Sequence, residues 1–539
     1  MSKSYPHIIF NAKIYTLDDD NPTASAIVIF NGQIIALGSD DEILSHFGNG
    51  AITHDLELRP VIPGLTDAHI HLKHFALSLK KINCNVATRI ECLQLVAKHA
   101  SETSPNKWIL GHGWNQNNWV DGFGSASDLD KVSLEQPVYL TAKSLHAGWA
   151  NSAALRAAGI DSNRPNPPNG EIQRDIHGKP TGILLENAMK LVADIIPEPQ
   201  GNELANIIKD AQLALLQMGL TSVHDFDRRA CFDALQRLQQ QGELHLRVVK
   251  NLPVEDLSYA VNLGLRFGFG NDFLHIGGIK AFSDGALGPH TAAMLDRYEN
   301  DPSNRGMLLL DSEEILDFGR IAVQNGLPLT IHAIGDHANH EALNAFAQLR
   351  VFEANQQNST TYEPLRHRIE HAQLIHPKDA HRLGELEIIA SMQPIHATSD
   401  MLMADQFWGE RSSSAYAWRT QLNHGTTLAF GSDAPVESPN PFWGLHAAVT
   451  RQRADGTPGP DGWYPEQRLS IKEALRAYTQ GAAFAAGTEK RSGKLAPGFW
   501  ADLVVLDTDP FHCAPEEIHG IQVVGTMVNG EWMVDHLTR

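Results

Sequence analysis

Thiols are scarce in this chain. Its 539 residues hold four cysteines, Cys84, Cys92, Cys231 and Cys513, scattered without a Cys-x-x-Cys pair. That speaks against a disulfide framework or a thiolate metal site and fits a reducing compartment, so a cytoplasmic protein is expected. No run of about 18 apolar residues exists, which argues against a membrane span. The opening segment, Met1–His7, has no apolar core, so no signal peptide is expected. Positive charge is also in deficit: 43 basic against 63 acidic residues leave a net charge of −20, the wrong footprint for a nucleic-acid surface. The acidity reads as solubility. Internal repeats and low-complexity tracts are missing. What remains is an ordinary globular composition, 42% hydrophobic and 20% charged, long enough for about two to four domains. Histidine is the unusual count, at 27.

Short strands fill the first 60 residues. Ala26–Phe30 and Gln33–Leu37 flank Asn31-Gly32, a pair that supplies the positive φ angles of a tight hairpin turn. The C-terminal end repeats the pattern, with Ala501–Leu506 as a strand and Ile521–Val528 and Glu531–Val534 around Asn529-Gly530. Neither piece makes a core alone, so one composite β-sandwich from residues 1–60 and 490–539 is expected. Between them, candidate strands alternate with amphipathic helices such as Asn202–Met218 and Glu314–Asn325. The strands are Val61–Leu65, Thr221–His224, Leu244–Val249, His275–Ala281, Pro328–His332, His367–His371, Ile388–Met392 and Thr427–Gly431. This predicts an α/β fold, a (β/α)8 TIM barrel over 61–74 and 206–489. The first connection far exceeds an ordinary loop of about 4–6 residues. Residues 75–205 therefore read as an inserted α/β subdomain.

His69 and His71 sit two residues apart at a strand's end, where both side chains share one face. Two imidazoles so placed are either a pair of metal ligands or two packed histidines. The other strand ends weigh on that choice, because a barrel gathers its functional groups at the C-terminal ends of its strands. The fourth strand carries Lys280, the fifth His332, the sixth His371 and the eighth Asp433. Taken singly, each has a bland reading: a hydrogen-bonded loop histidine, a solvated lysine, an aspartate capping a helix. Four histidines, a lysine and an aspartate at one end of one barrel point to a metal site.

The chain resembles the amidohydrolase superfamily, and specifically its YtcJ-like, amidohydrolase-3 branch, which includes N-substituted formamide deformylases. The resemblance covers essentially the whole chain. It rests on the motifs Pro63–His71, Gly111–Asn115, His146–Leu155, Pro180–Glu186, Lys280–Gly288, Gln393–His396, Gly431–Pro435 and Gly498–Leu503. It implies that His69 and His71 hold one metal, that His332 and His371 hold a second, and that Lys280 bridges both as a carbamate formed with CO2. Asp433 would bind the first metal and shuttle protons. Two zinc ions are implied, with manganese or iron as alternatives. A free lysine repels metals, whereas its carbamate is an anionic bridging ligand. Two such ions share and activate a hydroxide and polarise a carbonyl. If Lys280 stays unmodified, His69, His71, Asp433 and one of His332 or His371 still make a mononuclear site.

His396 follows the seventh strand and is a catalytic candidate, meeting substrate or oxyanion. Trp114, Asn115, His146 and Asp284 are substrate-binding candidates, with structural support as the competing role for each; Asp284 in particular has a turn to organise. His224 and Asp225 are candidates for orienting ligands. The aromatics Trp114, Trp119, Phe282, Phe407 and Trp408 either receive an apolar substituent or pack the insertion. The expected activity is hydrolysis of non-peptide carbon–nitrogen bonds, an N-acyl or N-formyl amide above all. A heterocycle deaminase or cyclic-amide hydrolase, and a non-catalytic regulatory protein on the same scaffold, are the alternatives. The expected partner is a small-molecule substrate, with no nucleic acid and no membrane; a homodimer is an admissible arrangement.

Overall fold

A computed structural model of the protein describes residues 5–104, 107–115, 119–120, 122–143, 147–168, 170–299, 301–355 and 364–537. The chain separates into two compact units, Met1–Phe75 with Gly201–Arg539, and Ala76–Gln200.

Eight parallel strands dominate the first unit: β1 (Leu65–Ile70), β2 (Leu220–Asp225), β3 (Arg247–Pro253), β4 (Leu274–Phe282), β5 (Leu329–Ala333), β6 (Arg368–His371), β7 (Ile389–Met392) and β8 (Leu428–Phe430). Each pairs with the next in chain order. The ring closes beyond β8, where a parallel bridge joins Ile70 to Ala434, the His71 N–H donates to the Ala434 carbonyl at 2.9 Å and the Asp433 N–H donates to the His69 carbonyl at 2.7 Å. Strands such as β5, buried at every residue, need helices on their outer faces. Gly201–Gln217 supplies one, with Leu204, Ile208, Ala211 and Leu215 on its buried stripe. Ser312–Gln324 supplies another. It starts at a capping box in which Asp311 accepts the Glu314 N–H and Glu314 accepts the Asp311 N–H.

Both chain ends meet in one sheet. Leu503–Leu506 pairs antiparallel with Pro60–Pro63 on one side and Val523–Val528 on the other. A second sheet holds Gln33–Gly38, Ala26–Phe30, His7–Phe10 and Ile52–Asp55. Ile9, Ile27 and Ile29 of this sheet share a core with Val61, Leu503, Val505 and Met527 of the other, which makes the pair a sandwich. Both hairpins turn at Asn-Gly pairs with positive φ: 50° and 77° at Asn31-Gly32, 53° and 78° at Asn529-Gly530.

One expectation needs correction. The segment Val61–Leu65 is not the first barrel strand. Pro60–Pro63 belongs to the sandwich, and the barrel strand begins at Leu65, after Gly64. Apolar character alone cannot separate two buried strands joined by one residue. A Cβ at Gly64 would lie 2.3 Å from Thr221 Oγ1, so the junction requires glycine.

The second unit is built on a six-stranded mixed sheet running Gly170–Arg174, Pro180–Glu186, Ala147–Ala150, Val138–Ala142, Ile109–Trp114 and Ile82–Asn83. Trp114 is fully buried in its core beside Trp119 and Trp149. Among the described residues no helix is long and apolar enough to cross a membrane. The four cysteines are unpaired.

Candidate active site

The C-terminal ends of the barrel strands surround a cavity of about 370 Å³. Its lining includes His69, His71, Lys280, His332, His371, His396 and Asp433. His69, His71 and Asp433 each offer a ligand atom within 4.8 Å of the others, and so do His371, His396 and Asp433. Asp433 is the shared member. Its Oδ1 lies 3.5 Å from His69 Nε2 and 3.4 Å from His71 Nε2, and its Oδ2 lies 4.0 Å from His396 Nε2. His332 lines the same cavity with its ring 4.5 Å from that of His371, but the tight cluster around His371 includes His396 instead.

Four of the imidazoles are each held through one ring nitrogen. His69 Nδ1 bonds Glu370 at 2.5 Å, His71 Nδ1 meets Asp227 at 3.3 Å and His371 Nδ1 bonds Gln393 at 2.8 Å. His332 uses Nε2, against the Gly285 carbonyl at 2.9 Å. Such outer partners fix the ring and the tautomer of a metal-ligating histidine. Burial lowers His69 to about 4, against the pull of Glu370, and lowers His332 to about 3, with Lys280 adding to the effect. Burial also drives His371 well below its ordinary value. Neutral imidazole is the form that binds metals. His71 runs the other way: burial opposes protonation, but Asp227 and Asp433 raise it to about 9. Although burial favours protonated Asp433, the hydrogen bond from His71 and the nearby His69, His371 and His396 hold it far below the usual carboxylate range.

Lys280 is the anomaly. It is 4% exposed, its Nζ has no hydrogen-bond partner among the described residues, and it stands 4.9 Å from the Phe226 ring and 4.7 Å from that of Phe282. Burial pushes its ammonium down to about 8, against the attraction of Glu370 and Asp433. The backbone is also strained here. His371 and Asp433 occupy the left-handed region, at φ 71° and 61°, a conformation that concentrates at functional sites.

Several functional neighbours escaped the sequence reading. Phe226 stacks on His69 at 4.0 Å. Asp67 accepts the Ser432 hydroxyl at 2.5 Å and the Ser432 N–H at 3.0 Å, tying β1 to the loop that presents Asp433. Glu370 joins His69 to Arg368, whose guanidinium donates to Glu370 at 3.0 Å. The period-two spacing of Arg368 and Glu370 puts both on one strand face, a charged pair aimed inside a barrel, and that signal was available. His224 bonds Arg368 at 2.8 Å, one step behind Glu370. Asp225 pairs with Lys250 at 2.6 Å and accepts the Leu72 N–H at 3.0 Å.

Two substrate candidates hold backbone groups in place. Asp284 is buried and accepts the backbone N–H groups of Ala293, Ile334 and Gly335 at 2.8–3.0 Å, so it organises loops rather than lining the cavity. Burial still raises its carboxyl to about 7. Trp114 donates its indole N–H to the Leu140 carbonyl within the second unit's core. Asn115 is half-buried in that unit, and His146 lies outside the described residues. Of the aromatics, Phe282 lines the cavity, whereas Trp408 is fully buried.

This barrel with its ring of histidines is that of a metal-dependent hydrolase, and the comparisons agree. The chain belongs to the amidohydrolase family, whose profile, described as "Amidohydrolase family", matches residues 53–534. It is 30% identical to the putative amidohydrolase YtcJ of Bacillus subtilis, over 96% of this chain and 97% of that protein. It is 28% identical to the N-substituted formamide deformylase of Arthrobacter pascens, over 97% of each. Among solved structures it is similar to an uncharacterised metal-dependent hydrolase from Pyrococcus furiosus, with a TM-score of 0.78 and 29% identity, covering 94% of this chain and 100% of that one. The protein is a hydrolase acting on carbon–nitrogen bonds other than peptide bonds.

Proposed function

We propose that the protein hydrolyses an N-acyl or N-formyl amide of a small molecule at a metal centre built from His69, His71, Lys280, His332, His371 and Asp433. The observation that carries this reading is Lys280: a buried, unpartnered amine beside clustered imidazoles and a carboxylate. A neutral amine can add CO2 and lose a proton, which converts a cation hostile to metals into an anionic ligand. The residues therefore fit two divalent ions, zinc first, with Lys280 carboxylated. Bound divalent ions would supply Lewis acidity, polarising the amide carbonyl and acidifying water.

The chain's own groups do the rest. Asp433 accepts a proton from water and returns it to the leaving nitrogen, helped by a position among His69, His71 and His396. His396 is suited to steady the carbonyl oxygen as charge develops there. Glu370 and Asp227 keep Nε2 of His69 and His71 turned toward Asp433. The preference for a formyl or acyl amide leans on the deformylase relative.

Elemental analysis of protein purified without chelator, in bicarbonate, tests the centre. About two metal equivalents are expected per chain, falling to one or fewer in Lys280→Ala. Wild type that is folded and metal-free overturns the reading. Acid and amine release from a panel of N-formyl and N-acyl amides then tests the substrate class.

A further inference from the structure

The cavity has a second, acidic wall, formed by Asp400 and Glu437. Asp400 sits one helical turn beyond His396 on the helix Pro394–Trp408, and Glu437 follows Asp433 by one short loop. Each carboxylate is held by a neutral donor. The Tyr416 hydroxyl donates to Asp400 Oδ2 at 2.6 Å, and Ser399 hydrogen-bonds Glu437. A carboxylate has about four acceptor sites, so both keep capacity to spare. Neither has an arginine or lysine ion-pair partner among the described residues. Burial, with Asp400 and Asp433 close by, raises the Glu437 carboxyl, against Ser399 and His396. Negative charge is thus gathered on this wall without a direct arginine or lysine ion pair among the described residues.

The remaining lining sharpens the point. Lys280 is the basic side chain among the described lining residues other than histidine, and it stands at the proposed metal centre. Phe282, Leu287, Met403 and Val436 give the cavity an apolar stretch. His396, 8% exposed, presents to the same cavity an Nε2 that has no hydrogen-bond partner among the described residues and lies 4.0 Å from Asp433 Oδ2. A ligand that is apolar along its length and positively charged at its end satisfies both walls. A carboxylate at that end meets like charge.

We infer that Asp400 and Glu437 form a cation subsite, and that the preferred substrate is an amide whose nitrogen carries an alkyl chain ending in a protonated amine. This rests on the amide-hydrolase reading above. Asp400 and Glu437 are specificity residues here, with no part in the proton transfers.

Binding and turnover separate the two claims. Matched N-alkylureas ending in methyl, ammonium or carboxylate serve as slow-reacting ligands for calorimetry on the metal-loaded protein. The ammonium member should bind about tenfold or more tightly than the methyl member, the return from one charge-assisted contact, and the carboxylate member weakest. That ratio should fall toward one in Glu437→Gln and Asp400→Asn. Equal binding of the methyl and ammonium members, binding of neither, or a ratio unmoved in both variants overturns the subsite. Formate release from the matching N-alkylformamides is followed in parallel. Hydrolysis of all three with equal kcat/KM removes the subsite and keeps the amide reading. An ammonium preference in binding, with no formamide or acyl amide hydrolysed, removes the amide reading and keeps the subsite.

Discussion

Two buried cations at opposite ends of the barrel, Arg247 and Lys280, are treated in opposite ways. At the start of β3, Arg247 engages all three of its nitrogens: two bonds to the Asp502 carboxylate at 2.6 and 3.0 Å, and one to the Asp272 carbonyl at 3.0 Å. The Trp500 ring covers it at 3.8 Å. Near the end of β4, Lys280 is as deeply buried and has no hydrogen-bond partner among the described residues. Burying a charge without compensation is costly, so a fold keeps such a group only where something other than stability is served. Completeness at one end marks structural work, and the deficit at the other marks chemistry.

That contrast can be broken from either side. The largest effect is expected from Asp433→Asn, which should cut turnover about 10²–10⁴-fold by removing the proton carrier. Its denaturation midpoint should fall by less than that of any variant breaking the Arg247 pair. Steady-state kinetics and a denaturant melt check both halves, and retained turnover would remove Asp433 from the chemistry.

Next, Arg247→Met leaves Asp502 buried without its partner and should cost about 3–5 kcal/mol of stability. Activity per folded molecule should persist, because Arg247 has no place in the catalytic cavity. Lys280→Met should do the reverse. In metal-free, bicarbonate-free protein it replaces a buried ammonium without a hydrogen-bond partner among the described residues, so stability should rise by up to about 1–3 kcal/mol, less the lost attraction of Glu370 and Asp433, while metal retention is lost. Destabilisation of the metal-free variant would show that Glu370, Asp433 and the two rings outweigh the missing hydrogen bond.

The smallest effect concerns an ordinary surface pair. The Arg419 guanidinium holds Glu473 at about 2, against partial burial and with help from Ser470. The folded carboxyl is therefore more acidic than the unfolded one. Its stabilisation is present above the unfolded value of 4.5 and is lost as pH falls through about 2. The side chain is 31% exposed, so solvent screening holds the effect below about 1 kcal/mol. Melts of wild type and Glu473→Gln should converge across that window, whereas the Arg247→Met deficit should persist at neutral pH.

How much of this was legible in advance depends on the distance over which each signal acts. The hairpins at Asn31-Gly32 and Asn529-Gly530 were readable because the positive φ angles are a property of two adjacent residues. The barrel strands were readable because parallel strands are buried on both faces and so are apolar throughout. Strand ends then singled out His69, His71, Lys280, His332, His371 and Asp433, which line one cavity. The handover from the sandwich to the barrel at Gly64 was not readable, since both strands are equally apolar. Nor were the burial of Trp114 and the backbone bonds of Asp284 readable, for a similar reason: an aromatic or a carboxylate in a motif carries no mark of whether it faces a cavity or a core.

Sequence alone determined the local periodicities, the turns and the residue types at each strand end, because those depend on neighbours along the chain. The tertiary structure decided which residues meet: Glu370 with His69 and Phe226 against the same ring, His396 rather than His332 in the tight cluster with His371 and Asp433, and Asp400 with Glu437 on the wall of the same cavity. Those partnerships join residues from distant strands and loops, and only closure of the barrel brings their side chains within reach of one another.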